Sequence, residues 1–532
     1  MTQRSQLGLV LGLAALIIVG PGCGGASSAS LGATPGGAQD NGLGRDKIQN
    51  GDVPQAADIT VEGMLNDHDL PLEAPPCTRT LCVRAAYGIA PALDTGRAAV
   101  FVQMGFASGI DPATFRRQPL NLAVVVDRSG SMAGAKIEAV KTALSRLIDQ
   151  LDERDRLAII MFDDQTDVLL ESTPVTSRET IRAKLSQIYA RGSTDMAAGL
   201  RAGFAQVQAN AGGAGVTDRV MIFTDAQTNT GDTDTETFIG LAGENAANGI
   251  GLTLFGVGID LNQQLVLAIT KLRGGNYYYL QDAAKIATVF DLDFDYLVTP
   301  LAYDLRLKLE PKPGFRVAQV YGYSAWPVGS TAVEISVATL FLSRKEGALV
   351  ARLETESDTW PVGKPPLAEL SLAYTEVGGE PVADSLTAAY TADAELNDDS
   401  VFYSVRSVRK TVALVNAALG MRGACGLYWQ GDVDGARALA TRTKTLLDSE
   451  AALIEDAELT GEAQEVQKLL DNMTTTDTYQ PTDPYGNGSY YGSSYGSSDH
   501  HYGCSASRAA AASPAAALLL ALALACARRR RG

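Results

Sequence analysis

Histidine is nearly missing from this chain of 532 residues: His68, His500 and His501 are the three it has. None of them lies in the central third, so no Ser-His-Asp triad can be drawn there. Cysteine is scarce as well, and six residues are too few to build a disulfide scaffold. Positive charge is in deficit, with 44 Lys and Arg against 61 Asp and Glu and a formal charge of −17. That balance argues against binding to nucleic acid, which needs a local excess of cations. Long apolar runs are also wanting. The N-terminal stretch Leu7–Val19 makes a helix of ~20 Å, short of the ~30 Å hydrocarbon core of a bilayer. What is present is a 46% apolar chain, long enough for about two to four folded units.

The two ends read as processing segments rather than fold. Residues 1–23 have a positive start at Arg4, an apolar stretch and then small residues, the pattern of an export signal. Gly20-Pro21-Gly22-Cys23 resembles a bacterial lipoprotein box, which implies acylation at Cys23; the alternative is ordinary cleavage within Gly24–Ala29. Residues 474–503 lose all apolar periodicity and form a Gly/Ser/Tyr-rich spacer. Residues 504–532 contain Cys504, an apolar run from Ala515 to Ala527 and the cluster Arg528–Arg531. This tail resembles the MYXO-CTERM type of sorting signal, which implies processing at Cys504, with an ordinary membrane anchor as the alternative. The arginines agree with the positive-inside rule. Residues 1–23 and 504–532 hold six arginines and no acids, so the rest of the chain is more acidic than the whole.

Between the ends, residues 24–76 are rich in Gly, Ser, Ala and Asn/Asp without a sustained period, and read as a flexible tether. Cys77 and Cys82 follow at a spacing that suits a small loop disulfide in an oxidising compartment better than a redox or zinc motif. Residues 77–120 and 300–395 show period-2 alternation, as in Tyr303, Leu305, Leu307 and Leu309 against Asp304, Arg306, Lys308 and Glu310. They predict the two parts of an antiparallel β-sandwich. Residues 121–299 alternate apolar strands with amphipathic helices, which predicts an α/β unit with a mostly parallel sheet inserted into that sandwich. In residues 396–473, Val401, Val405, Val408, Val412, Val415 and Leu419 recur at helical spacing and open a small helical bundle. Cys425 falls in this part and reads as a buried free thiol.

The first strand of the α/β unit ends in Leu122-Ala-Val-Val-Val-Asp127-Arg-Ser129-Gly-Ser131. Five apolar residues place Asp127 at the carboxyl edge of a buried strand, where open α/β sheets bind ligands. Ser129 and Ser131 add two hydroxyls on the turn that follows, and hard oxygen donors suit Mg²⁺, Mn²⁺ or Ca²⁺. A phosphoryl-transfer site of the haloacid-dehalogenase type needs an acid where Ser129 stands. Asp163, Asp164 and Asp167 read as a solvated strand-end cluster, and Tyr277–Tyr279 as a partly exposed strand.

This unit resembles the von Willebrand factor type A family, whose metal-ion-dependent adhesion site begins with D-x-S-x-S. The family adds a Thr and an Asp downstream, matched here by Thr194 in Gly192-Ser-Thr-Asp195 and by Asp225 after Val220-Met-Ile-Phe-Thr224. Ala226 stands where Gly is commoner. The resemblance implies a Rossmann-like fold in which Ser129, Ser131 and Thr194 hold the metal, with Asp127 and Asp225 acting largely through water. Neutral hydroxyls leave a divalent cation under-neutralised, so it attracts an outside carboxylate. The expectation is a non-enzymatic, surface-anchored adhesion protein of the cell envelope, outer membrane or cell surface. Its Mg²⁺ (or Mn²⁺ or Ca²⁺) captures an Asp or Glu of a protein or extracellular matrix ligand, and its termini contact the membrane. The alternative is an envelope scaffold or assembly factor with a non-essential metal site.

Overall fold

Leu122–Val126 are buried on both faces of their strand, and the central unit is layered around them. The structure is a computed structural model. It describes residues 31–474 apart from 228–234, 260, 322–324, 329–331, 358, 378–380 and 390–399. The export segment with Cys23, the spacer after residue 474 and the terminal segment with Cys504 lie outside the described residues. Among the described residues no helix is long and apolar enough to cross a membrane.

Most of the expected tether is folded. Its elements are β1 (Gly32–Pro35), β2 (Gly37–Ala38), α1 (Gly42–Gln49) and α2 (Val61–Asp67), followed by β3 (Cys82–Pro91) and β4 (Ala98–Ala107). Leu31, Ala33, Leu43, Ile48, Met64, Leu65 and Leu70 are all buried. Short apolar residues spaced by glycine show no period in the sequence, but each finds a wall supplied by distant elements. Cys77 and Cys82 are joined by a disulfide at the start of β3.

The α/β unit runs β5 (Leu120–Asp127), α3 (Ala135–Gln150), β6 (Arg156–Phe162), β7 (Thr166–Pro174), α4 (Arg178–Lys184), α5 (Met196–Gln208) and β8 (Thr217–Thr224). It continues through α6 (Thr235–Ala247), β9 (Gly251–Gly256), α7 (Gln263–Thr270), β10 (Asn276–Tyr279), α8 (Ala283–Ala287) and α9 (Phe294–Leu297). Among the described residues the sheet has seven strands in the order β2-β10-β9-β8-β5-β6-β7. Only β7 runs antiparallel to its neighbour, so the sheet is mixed. β2, from the N-terminal segment, supplies one edge by pairing with β10. That segment also covers the tyrosines: Tyr277 and Tyr279 are fully buried, and Tyr279 donates its hydroxyl to Asp46 of α1 at 2.8 Å. The expected partial exposure holds only for Tyr278.

After the α/β unit come β11 (Pro300–Pro311), β12 (Phe315–Tyr321), β13 (Ala325–Val328), β14 (Ala332–Ser343), β15 (Ala348–Thr355), β16 (Pro366–Glu376), β17 (Pro381–Ala389) and β18 (Phe402–Tyr403). Among the described residues, strands from both sides of the α/β unit hydrogen-bond into one eleven-stranded sheet, with the central order β12-β15-β4-β1-β14-β11-β16-β17. Its inner residues, among them Ile89, Val102, Phe106, Leu305, Leu307, Leu349 and Leu370, share one core. β1 lies between β4 and β14, pairing antiparallel with both. Gly32 is required there: a Cβ at this position would lie 2.5 Å from the Cα of Glu346.

Three helices close the described chain: α10 (Arg406–Trp429), α11 (Val433–Ile454) and α12 (Ala457–Asn472). α10 starts later than the Val401/Val405 spacing predicts, because Phe402 and Tyr403 pair with β3 and leave Val401 52% exposed. Cys425 is a buried free thiol on α10. The helices share their core with α2 and β4, through Leu65, Phe101, Val412, Leu447 and Leu469. His68 sits between two acids of α12, its Nδ1 2.9 Å from Glu458 and its Nε2 3.0 Å from Glu462.

Candidate metal centre

Asp127 is the last residue of β5, and Asp225 is the first residue beyond β8, the adjacent parallel strand. Strand register therefore delivers both carboxylates to one edge of the sheet, and both are 0% exposed. Asp127 is fixed from two sides: Oδ1 accepts from the backbone N–H of Ser129 at 2.9 Å and Oδ2 from the hydroxyl of Thr224 at 2.6 Å. Burial, with the charge of Asp225 added, pushes the Asp127 carboxyl well above the usual carboxylate range despite those two hydrogen bonds.

The turn after β5 is a single 3₁₀ turn, Gly130–Met132, and it brings the Ser129 and Ser131 hydroxyls to 3.0 Å from each other. A second loop closes over it. Gly130 N–H donates to Gly192 O at 3.0 Å and Arg191 N–H to Arg128 O at 2.6 Å, which places the buried Thr194 beside the serine turn. Gly192 has φ +71°, and a Cβ there would meet Asp164 Oδ1 at 2.3 Å, so glycine is needed. Asp195 caps α5 by accepting from Ala198 N–H at 3.0 Å, and this fixes the loop's exit. All five residues singled out from the sequence thus lie on three neighbouring turns at the carboxyl edge of the sheet.

Other residues at this edge were not legible in advance. Lys136, 4% exposed in the first turn of α3, places Nζ 3.2 Å from Asp225 Oδ2. Asp163 is not solvated as expected but 0% exposed, held by Arg128 at 2.8 Å and Arg191 at 2.6 Å. Asp167 pairs with the same two arginines. The signal lay in Arg128, the variable position of D-x-S-x-S, but its partners are set by tertiary contact. Ala226 takes φ +54°, a left-handed conformation that explains why glycine suits the position, and its N–H donates to Thr224 Oγ1 at 2.8 Å.

Among the described residues no group of three or more His, Cys, Asp and Glu side chains gathers as a metal cluster. A cation at this edge therefore depends on hydroxyl donors. The donor set fits a hard divalent ion: burial, with the charge of Asp225 added, raises the cost of ionising Asp127, and paired hydroxyls stand next to the two buried carboxylates.

Comparison with known proteins matches residues 121–292 to the von Willebrand factor type A domain. An uncharacterized protein of Synechocystis, sll0103, is 31% identical over 210 residues, which cover 38% of this chain and 48% of that protein. Human inter-alpha-trypsin inhibitor heavy chain H3 is 31% identical over 156 residues, covering 27% of this chain and 17% of that protein. The chain spans less than half the length of these curated relatives. A solved von Willebrand factor type A protein from Catenulispora acidiphila aligns with 77% of this chain and 99% of its own, at 15% identity and a TM-score of 0.49. Residues 121–292 are a von Willebrand factor type A domain.

Proposed function

We propose that this chain is an exported, cell-surface-anchored binding protein. Its type A domain takes a divalent cation, Mg²⁺ in the first place and Mn²⁺ or Ca²⁺ otherwise, to capture a carboxylate of a protein or matrix partner. The observation that carries the reading is the pair of fully buried carboxylates, Asp127 and Asp225, beside the paired hydroxyls of Ser129 and Ser131. Ser129, Ser131 and Thr194 would hold the ion, with Asp127 and Asp225 supplying charge from behind. Bound there, the ion supplies a Lewis-acid position open to an outside Asp or Glu.

The chain's own residues prepare that position. Thr224 and the Ser129 N–H fix the Asp127 carboxylate, and the Gly130–Gly192 hydrogen bond fixes the two hydroxyl-bearing turns against each other. Ser131 is exposed and Ser129 and Thr194 are buried, so a partner approaches from the Ser131 side. No hydrolytic role is assigned: a metal tuned to neutral hydroxyls attracts carboxylates rather than activating water. Attachment to the membrane falls to the termini, through Cys23 or the segment around Cys504.

The test is capture of partners from cell envelopes by the purified protein, with and without EDTA, for the wild type and Asp127→Ala. Adhesion through the metal predicts that EDTA and the substitution each abolish capture. Capture unaffected by either overturns the reading and leaves an envelope scaffold that binds through another face.

A further inference from the structure

At the other end of the same sheet, where β8 and β9 begin, lies a buried positive charge that the metal centre does not use. Arg219 is 1% exposed. Its Nη1 donates to Thr253 Oγ1 at 2.7 Å and to Gly274 O at 3.1 Å, and its guanidinium centre lies 5.2 Å from the centroid of the Phe341 ring. Its Nε finds no hydrogen-bond partner, and no carboxylate pairs with it among the described residues. Burial lowers its pKa to about 10. In a chain with a formal charge of −17, a fully buried arginine without an acid is out of keeping, since an unpaired charge is costly to bury.

Arg219 also lines a cavity of about 260 Å³, and a second arginine, Arg273, lines it as well. Arg273 stacks over Tyr303, 4.1 Å from the ring centroid, on the same wall. Gln118 and Asn248 add neutral amides. The one acid on the wall, Asp218, is already engaged, accepting from Asn121 Nδ2 at 2.7 Å and Gly212 N–H at 3.1 Å. Two guanidinium groups on a small, partly enclosed cavity match the fork geometry that carboxylate, phosphate and sulfate groups accept. Asp225, just past the end of β8, lies six residues beyond Arg219, an extended length of ~20 Å, so this cavity and the metal centre are separate.

We propose that this cavity is a binding site for a small oxyanion, held by Arg219 and Arg273. The test is thermal unfolding of the purified protein in EDTA, which keeps the metal centre out of the readout. Inorganic phosphate, sulfate and acetate are titrated against sodium chloride at constant ionic strength. At least one of the three is expected to raise Tm saturably, by about 2 °C or more. Which one does so separates a tetrahedral from a carboxylate ligand. Arg273→Gln, a partly exposed position that leaves the core intact, should abolish the shift. Arg219→Met should abolish it too without unfolding the protein, because an apolar side chain of similar length replaces a buried charge. No saturable shift in the wild type, or a shift that survives in Arg273→Gln, overturns the proposal.

Discussion

Lys136 Nζ lies 3.2 Å from Asp225 Oδ2, joining the first turn of α3 to the turn after β8. The stem packs closely over Gly258, where a Cβ would meet Lys136 Cε at 2.3 Å. The ammonium stands on a carboxylate that the proposed cation would also use, and like charges at this range repel. Lys136→Met should lower the stability of the metal-free protein by about 3 kcal/mol, because a buried carboxylate loses its partner. The same change should tighten Mg²⁺ binding by on the order of tenfold. Denaturant unfolding and calorimetric Mg²⁺ titration read the two effects separately. Unchanged Mg²⁺ affinity would show that the ammonium does not feel the ion.

Asp127→Asn should act in the opposite sense on the metal-free protein. Burial and Asp225 already raise the cost of ionising Asp127, so a neutral isostere relieves that cost while keeping an acceptor for the Ser129 N–H. The metal-free variant should unfold at the same temperature as wild type or higher. Added Mg²⁺ should stabilise the wild type and leave the variant unmoved. A variant that is less stable without metal would contradict the assigned repulsion.

His68 gives the protein a pH-dependent clasp. Both ring nitrogens face carboxylates; burial alone would lower its pKa, but the hydrogen bonds the imidazolium donates to Glu458 and Glu462 outweigh it and raise the pKa above 6.5. Asp67, Arg45, Lys410, Asp456 and Glu465 also bear charge around these groups. A raised pKa means that the imidazolium's contribution is fully present below pH 6.5 and is lost as pH rises through the higher value. On the acid side, the hydrogen bond from His68 leads in holding Glu458 at about 2. Its contribution is present above 4.5 and fades as pH falls towards 2. Between pH 6 and 9, limited proteolysis within residues 31–72 should accelerate in the wild type, and His68→Gln should flatten the profile. A flat wild-type profile would rule the clasp out.

Removing residues 31–72 should leave no folded protein rather than a trimmed one. β1 bridges β4 and β14, β2 forms one edge of the α/β sheet, and Leu65 and Leu70 belong to the helix core. A milder form of the same test is Gly32→Val, whose side chain collides with the backbone of Glu346 and should cost about 3 kcal/mol or more. Circular dichroism and chemical unfolding measure both.

The type A domain was legible because its signals are local: an apolar strand, then oxygen donors at fixed offsets, as in Val126-Asp127-Arg-Ser129. The alternation of Tyr303 to Leu309 was legible for the same reason, and it lies in β11. β1 was not legible, since Gly32-Ala-Thr-Pro35 has no pattern of its own and becomes a strand only between two longer ones. The ion pairs of Arg128 with Asp163 and of Lys136 with Asp225 span 35 and 89 residues, beyond any local reading. Val401 and Val405 misled because helical spacing continues past the point where pairing with β3 claims Phe402 and Tyr403.

The chain enters and leaves residues 121–299 through β4 and β11, and Gly36 also joins β1 to β2; on the large sheet β1, β4 and β11 all lie inside rather than at an edge. Tension on a partner held at the metal centre would thus reach the sheet at interior strands, each hydrogen-bonded on both sides. Such strands yield by sliding many bonds at once, whereas an edge strand peels away one bond at a time. Under the proposed function, the grip at the metal centre should therefore fail before its mounting does.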